Sequence, residues 1–309
     1  MRLDIGHDRV RDFVWCAVAA CMLLLGALYA VVPSSSPAAV LTHQLIRDPV
    51  VVVYGDSLMS ESQSWVVSML DEAHPAGRVI VRSFPGTAPC DWFDAMRRDA
   101  VLRPDVIVLE FAGNGGTRCI AQRAGSEAAL LRAYRADATR AVKILQRANT
   151  HAEIVFVATP RRATSPLISG SNPLDAVYHS VAAASARKVT FSAAPERALA
   201  SNDRAGRLVF RPTLPCLPGE RQRSECVDGQ ILVRSADRMH LCAAFGAGVG
   251  CAGYASGVVR FGNAVTSVVL KTLGEDCTFN PDPSPLNPVR VVCPSSAPAP
   301  GAVRTARPA

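Results

Sequence analysis

From Pro49 onward, short Val- and Ile-rich runs alternate with longer segments whose apolar residues recur at helical spacing. Strands that alternate with helices form parallel βαβ units, in which helices cover both faces of the sheet. The sequence therefore predicts an α/β fold built on a three-layer, doubly wound parallel sheet. The predicted strands are 49–54, 78–83, 105–111, 153–160 and 188–193, and the predicted helices are 60–73, 91–100, 126–148, 174–186 and 254–273.

An uncharged apolar run of 20 residues occupies positions 13–32, about the length that a helix needs to cross a bilayer. Three arginines precede it within residues 1–12, and no Lys or Arg follows before Arg47. The positive-inside rule then leaves residues 1–12 in the cytoplasm and makes 13–32 a single-pass membrane anchor. A cleaved signal peptide is the alternative. Both interpretations place the rest of the chain outside the cytoplasm.

The exported part divides into three segments by composition. Residues 33–46 begin with Pro and Ser and form a linker, residues 47–279 form the folded domain, and residues 280–309 are a Pro-rich tail. Within the domain, residues 202–231 are rich in Arg, Pro and Gly and indicate a long insertion or a lid.

Eight cysteines follow the apolar run, and an even number in an oxidising compartment predicts disulfides whose connectivity the sequence leaves open. A bond between Cys216 and Cys226 would staple the insertion, and Cys277 with Cys293 would tie down the start of the tail. No pair of cysteines has the spacing of a zinc site, so neither a metal nor a cofactor is predicted. The eight are Cys90, Cys119, Cys216, Cys226, Cys242, Cys251, Cys277 and Cys293.

The net charge of +7 falls on the exported part, because residues 1–12 hold equal numbers of Arg and Asp. Such a domain could lie against anionic envelope polymers or lipid headgroups. The arginines are spread along the chain without a run, however, which is typical of a solvated surface. Nucleic-acid binding has no motif here and is excluded.

Ser57 follows the first predicted strand in the sequence Gly55-Asp56-Ser57-Leu58 and opens a helix. Ligands of open parallel sheets bind beyond the carboxyl ends of the strands, and a hydroxyl there lies at the positive end of a helix dipole. Ser57 is thus a candidate nucleophile. The alternative is structural, because Asp56 or Ser57 would also serve as a helix N-cap.

Asn114 follows the third predicted strand within a glycine-rich turn, where its amide could donate a hydrogen bond to an oxyanion. An ordinary Asx turn is the alternative.

Asp237 and His240 form a D-x-x-H pair in which one helical turn would bring the side chains together. Asp237 would then hold the tautomer of His240, and His240 would be the base that a serine nucleophile needs. A solvent-exposed ion pair is the alternative. Among six histidines, His240 is the one that meets both criteria, a carboxylate at this spacing and a position after all the predicted strands.

Three blocks, VVVYGDSL, VLEFAGN and DRMHL, occur in this order, and with them the chain resembles the SGNH (GDSL) hydrolase superfamily. The resemblance implies a flavodoxin-like fold in which Ser57 attacks an acyl carbonyl, His240 is base and then acid, and Asp237 orients it. It also implies an oxyanion hole formed by the Ser57 backbone N–H, the Asn114 amide and the Gly86 N–H. The third block departs from the family pattern G-x-N-D, because Ala112 replaces the glycine and no Asp follows Asn114.

The chain also looks like SGNH domains of actinobacterial cell-envelope proteins, in which an ester of an envelope glycan or lipid is the expected substrate. Cys90 and Cys119 each follow an active-site block, and a disulfide between them would brace the oxyanion loops. The expected function is a serine esterase, with an O-acyltransferase that uses a sugar hydroxyl as the alternative. A non-catalytic binding module on the same scaffold is a third hypothesis.

Overall fold

The computed structural model describes residues 48–149, 151–164, 169–185, 188–242, 255–279 and 291–293. The predicted anchor 13–32, the predicted linker 33–46 and nearly all of the tail lie outside these residues. Within the described part of the chain, no helix combines the length and the apolar character needed to cross a bilayer.

Five parallel strands form the central sheet in the order β2-β1-β3-β4-β5, which is the strand order of flavodoxin-like folds. The predicted α/β class and all five predicted strands are confirmed. The strands are β1 Val50–Gly55, β2 Arg78–Ser83, β3 Val106–Glu110, β4 Glu153–Val157 and β5 Val189–Ser192.

Helices cover both faces of this sheet, as the three-layer prediction requires. Because successive side chains point to opposite faces, Val51 and Val53 join one buried cluster while Val52 and Tyr54 join the other. Helices α1 and α6 pack on the first face, and α2, α3 and α4 pack on the second. The helices are α1 Ser57–Ala73, α2 Phe93–Asp99, α3 Glu127–Ala148, α4 Pro173–Ala184, α5 Ala194–Ala198 and α6 Ser256–Thr272.

Three elements differ from the sequence prediction. Helix α1 begins at Ser57 rather than residue 60, because Asp56 caps it. The predicted helix 91–100 is divided into a 3₁₀ turn at Pro89–Trp92, the short α2 and a second 3₁₀ turn at Ala100–Leu102. Helix α5 was not predicted.

The segment 202–231 contributes to two antiparallel ladders, so part of the predicted insertion is ordered structure. Strand β6 pairs with β7, and β8 pairs with β9. The Cys216–Cys226 disulfide closes the second of these hairpins, and Cys277–Cys293 links strands near the end of the chain, as predicted. The strands are β6 Ser201–Asn202, β7 Leu208–Val209, β8 Thr213–Pro215, β9 Gln230–Leu232, β10 Thr278–Phe279 and β11 Val291–Val292.

A buried ion pair fixes helix α6 to the segment that follows β8. The guanidinium of Arg260 donates to both carboxylate oxygens of Glu220 and, at 2.7 Å, to the carbonyl oxygen of Pro215. Both charged side chains are less than a tenth exposed. Removing one partner would leave the other charge buried without compensation.

We predict that Arg260→Ala lowers the free energy of unfolding by about 3–5 kcal/mol, the usual cost of breaking a buried pair from one side. Chemical denaturation of the described domain measures this change. The exposed pair of Arg97 and Asp94 provides the matched control, and Arg97→Ala should cost less than about 1 kcal/mol. Equal losses of unfolding free energy in the two variants would contradict a stabilising role for the buried Arg260–Glu220 pair.

Candidate active site

Ser57 is the first residue of helix α1 and lies directly beyond the carboxyl end of β1. The tight turn between strand and helix depends on Gly55, because a Cβ there would lie 2.3 Å from Met59 Cβ and 2.7 Å from Glu110 Oε2. Asp56, rather than Ser57, is the N-cap and accepts the Leu58 N–H. The structural role is therefore filled by Asp56, and the Ser57 side chain is not needed for capping.

The carboxylate of Asp56 connects this turn to the loop after β3. It is completely buried, and its Oδ2 accepts the Ala112 N–H at 2.7 Å and the Asn114 amide at 2.8 Å. The Asn114 nitrogen also donates to the Thr87 carbonyl at 3.2 Å, and the Tyr134 hydroxyl donates to the Asn114 backbone carbonyl. Asn114 is thereby held beside the residue that precedes Ser57.

Gly86 lies in an exposed turn after β2, with a φ of +80° that favours glycine. Its neighbour Thr87 accepts the bond from Asn114, so the Gly86 loop and the Asn114 loop are adjacent. The predicted Cys90–Cys119 disulfide is present and joins the same two segments covalently. The turn that contains Ser57, the loop that contains Gly86 and the loop that contains Asn114 therefore meet at the carboxyl end of β1.

Asp237 and His240 are hydrogen-bonded, with 2.5 Å between Asp237 Oδ2 and His240 Nδ1. The expectation of a helical turn at this pair is wrong, because the residues lie in a loop in which Arg238 has a φ of +64°. Asp237 Oδ1 produces this conformation by accepting the N–H groups of Met239 and His240 and the hydroxyl of Ser235.

The pKa of Asp237 reflects these contacts. Partial burial would raise it, but the hydrogen bonds from Ser235, Met239 and His240 outweigh burial and hold it well below the usual range. Asp237 is therefore ionised at neutral pH. An ionised partner on Nδ1 is what keeps the Nε2 atom of a neutral imidazole available to accept a proton.

Hydrogen bonds to three backbone carbonyl groups hold the Asp237–His240 loop in place. Arg234, whose side chain is fully buried, donates to the Met239 carbonyl at 2.8 Å. The loop after β4 contributes Arg162, which donates to the Asp237 carbonyl, and the Ala163 N–H, which donates to the Arg238 carbonyl.

Glu61, on helix α1, accepts the backbone N–H groups of Leu241 and Cys242. The loop that carries His240 is thereby attached to the helix that carries Ser57.

Two buried carboxyl groups, those of Asp56 and Glu110, lie at the turn that precedes Ser57. Burial raises the pKa of Asp56 to about 6, although donors from Ala112, Leu58 and Asn114 oppose the shift. Burial and the charge of Asp56 raise the pKa of Glu110 well above its ordinary value. Glu110 Oε2 accepts the Asp56 N–H. Of the two carboxyl groups, Asp56 is therefore the one that ionises more readily and Glu110 the one that holds its proton.

The structure thus brings the candidate residues together as two groups joined by α1. Sequence reasoning missed Glu61, Glu110 and Arg234, all of which contact or face these groups. Glu61 carried one local signal, since it follows Leu58 by three residues and precedes Trp65 by four, on the apolar face of the helix. Glu110 and Arg234 had no such signal, because their partners are distant in sequence.

Potential metal ligands cluster at two places among the described residues: around Cys90 and Cys119, and around Cys277 and Cys293. In both clusters the two cysteines are bonded to each other. A disulfide sulfur is not a thiolate, so neither group has the donor set of a zinc site.

The strand order is that of flavodoxin-like folds, and the serine after β1 and the asparagine after β3 stand where the resemblance of the sequence motifs placed them. No family model matches the chain, and no curated protein matches it in sequence. Several solved structures resemble it in fold, at low sequence identity.

Among these structures is a carbohydrate esterase family 3 from Talaromyces cellulolyticus, at 10% identity and a TM-score of 0.45, covering 73% of this chain and 98% of that one. Est24, a carbohydrate acetylesterase from Sinorhizobium meliloti, has 13% identity and a TM-score of 0.41, with 72% and 99% covered. The periplasmic domain of a lipopolysaccharide acetyltransferase from Salmonella ser. Paratyphi A has 12% identity and a TM-score of 0.43, with 76% and 89% covered.

The buried state of Glu110 predicts how stability depends on pH. A carboxyl whose pKa is higher in the folded chain than in the unfolded chain binds its proton more tightly when folded, so stability falls as pH rises above the unfolded value of about 4.5. Because a glutamine side chain is neutral at every pH, we expect Glu110→Gln to remove part of this fall in stability. The free energy of unfolding between pH 5 and pH 8 measures this fall, and an unchanged slope in the variant would contradict a raised pKa at Glu110.

Proposed function

We propose that the chain is a serine-dependent enzyme that acts on carboxylic esters through an acyl-enzyme at Ser57. The observation that carries the proposal is the hydrogen-bonded Asp237–His240 pair, in a loop that Glu61 attaches to the helix of Ser57. A nucleophile, a base and a carboxylate that orients the base are the parts that this chemistry needs. A helix cap would need only Asp56.

In the proposed mechanism, Ser57 Oγ attacks the acyl carbonyl and His240 Nε2 takes the serine proton. The tetrahedral intermediate collapses, the C–O bond to the alcohol breaks, and His240 gives its proton to the departing oxygen. Water then attacks the acyl-enzyme with His240 again as base, which releases the acid and restores Ser57. Ionised Asp237 stabilises the positive charge that the ring carries in both steps.

The Asn114 amide would stabilise the oxyanion, together with the backbone N–H groups of Ser57 and Gly86. The bond from Asn114 to Asp56 fixes the orientation of the amide, and the longer bond to the Thr87 carbonyl is the one that an oxyanion would replace. The amide thus stays anchored while one of its hydrogens turns to the substrate.

For the substrate we propose an O-acyl ester of an envelope glycan or lipid, with the catalytic domain outside the cytoplasm. Three disulfides among the described residues support an oxidising compartment. Attachment to the membrane through residues 13–32 is part of this proposal and rests on the sequence alone. Transfer to a sugar hydroxyl is the alternative outcome, since it shares every step up to the acyl-enzyme. A non-catalytic module is the third.

We predict that a fluorophosphonate probe labels the wild-type domain, and that Ser57→Ala abolishes both labelling and the hydrolysis of p-nitrophenyl acetate. His240→Ala should reduce turnover by orders of magnitude while the circular dichroism spectrum is retained. Labelling that survives in Ser57→Ala would rule out this nucleophile. A wild-type domain that neither labels nor turns over would favour the binding module, and acylated product from an added sugar acceptor would favour the transferase.

We also predict that Asn114→Ala lowers kcat by about 10²–10³-fold with a smaller effect on KM, the usual result of losing one oxyanion donor. Steady-state kinetics on the same ester measure this. A change confined to KM would mean that Asn114 contacts the ground state of the substrate instead.

A further inference from the structure

A buried carboxyl group lies between the helix of the proposed nucleophile and the loop of the proposed base. Glu61 is on α1, one turn after Ser57, and its side chain is only 3% exposed. Its Oε2 accepts the Leu241 N–H at 2.5 Å and the Cys242 N–H at 3.2 Å. These two residues directly follow His240, so Glu61 holds the backbone that sets the position of the imidazole ring.

The second oxygen of the same carboxyl approaches the ring itself. Glu61 Oε1 lies 3.8 Å from His240 Nε2, the nitrogen on the opposite side of the ring from Asp237. The imidazole therefore has a carboxyl group near each of its nitrogens. The Ser–His–Asp arrangement described above needs only the one on Nδ1, so the position of Glu61 requires a separate explanation.

We propose that Glu61 is a positioning residue, which ties the His240 loop to the Ser57 helix and assists the imidazole by placing a carboxylate beside Nε2. This inference rests on the proposed esterase or transferase chemistry at Ser57. Glu61 does not contact the substrate; it acts through His240 alone.

Helix capping and surface charge do not account for a carboxyl at this place. Glu61 lies in the first turns of α1, and the N–H groups that its carboxyl accepts belong to a loop about 180 residues away in sequence. Burial of such a group is costly unless its oxygens are satisfied. Accepting two backbone N–H groups offsets that cost only if the His240 loop is in the observed conformation, so Glu61 favours that conformation over others.

The charged groups around Glu61 determine when it ionises. Burial is the largest influence and raises its pKa to about 8, and the charge of Asp237 acts in the same direction. The N–H groups of Leu241 and Cys242 and the charge of buried Arg234 act against it. Glu110 also interacts with Glu61, and the raised pKa of Glu110 limits the charge that it contributes.

A carboxyl with this pKa is mostly neutral at pH 7 and becomes charged as pH rises through about 8. A negative charge beside Nε2 stabilises the imidazolium that forms when His240 takes the serine proton. The rate should therefore rise as pH passes through about 8, where Glu61 becomes charged. The His240 ring should register the same event, because its environment changes when Glu61 ionises.

Four variants separate the tether from the charge. Glu61→Gln keeps an acceptor for the backbone N–H groups and removes the charge. Glu61→Asp keeps the charge and shortens the reach, and Glu61→Ala removes both. Glu72→Gln is the matched control, because Glu72 is on the same helix and exposed.

Two readouts are compared between pH 5 and pH 10. The first is kcat/KM on p-nitrophenyl acetate, with the Ser57→Ala rate subtracted as background. The second is the NMR signal of the His240 ring, assigned by its loss in His240→Ala. Wild type and Glu72→Gln should show an inflection near pH 8 in both readouts, and Glu61→Gln should lack it. Glu61→Ala should lower kcat by about 10²-fold, as expected for a misplaced base, with KM nearly unchanged.

An inflection near pH 8 that persists in Glu61→Gln would overturn the role of the charge, and a full kcat in Glu61→Ala would overturn the tether. The NMR readout does not need turnover, so it tests the coupling of Glu61 to His240 separately from the proposed enzyme activity. If the wild type is inactive but its His240 signal loses the inflection near pH 8 in Glu61→Gln, the enzyme assignment fails and the coupling of Glu61 to His240 stands. If the wild type is active and that signal never had the inflection, only the coupling fails.

Discussion

The hydrogen bonds to the Asp56 carboxylate are the interaction on which the rest of the site depends. Strands β1 and β3 are neighbours, so the turn after one and the loop after the other leave the sheet side by side. The neighbouring positions of the two strands do not by themselves fix the orientation of the side chains in these loops. By accepting the Leu58 N–H, the Ala112 N–H and the Asn114 amide, one buried carboxylate fixes the start of α1 and the orientation of Asn114 together.

Helix α1 is the common reference for both halves of the site. Its N-cap, Asp56, is hydrogen-bonded to Asn114 in the loop after β3. One turn later, Glu61 is hydrogen-bonded to the loop that contains His240. Helix α6 also packs against the loop that contains His240. A Cβ on Gly257 would lie 2.6 Å from the Leu241 carbonyl oxygen, so only glycine lets α6 approach the backbone that follows His240. Small distortions at either helix should therefore reach the imidazole.

The sheet could be predicted from sequence because strands buried on both faces are continuous apolar runs, as in Val50–Gly55. The pairing of Asp237 with His240 also followed from their spacing, but their conformation did not. A helical turn and a loop both bring residues three apart into contact, and the choice depended on Asp237 Oδ1 capturing two backbone N–H groups. Glu61 could not be assigned a role, since its partners at Leu241 and Cys242 are brought near only by the tertiary fold.

The distribution of protons among the buried acids decides whether this site can tolerate a negative charge. A tetrahedral oxyanion at Ser57 would form close to Asp56, and a second ionised carboxyl at Glu110 would add to the repulsion. Asp56 offsets its own charge by accepting hydrogen bonds, and burial together with the charge of Asp56 raises the pKa of Glu110 well above its ordinary value. A proton held on Glu110 leaves the N-terminal dipole of α1 and the Asn114 amide facing one buried charge, which is itself hydrogen-bonded. The raised pKa of Glu110 thus favours the acyl transfer proposed at the end of β1, because it limits the negative charge there.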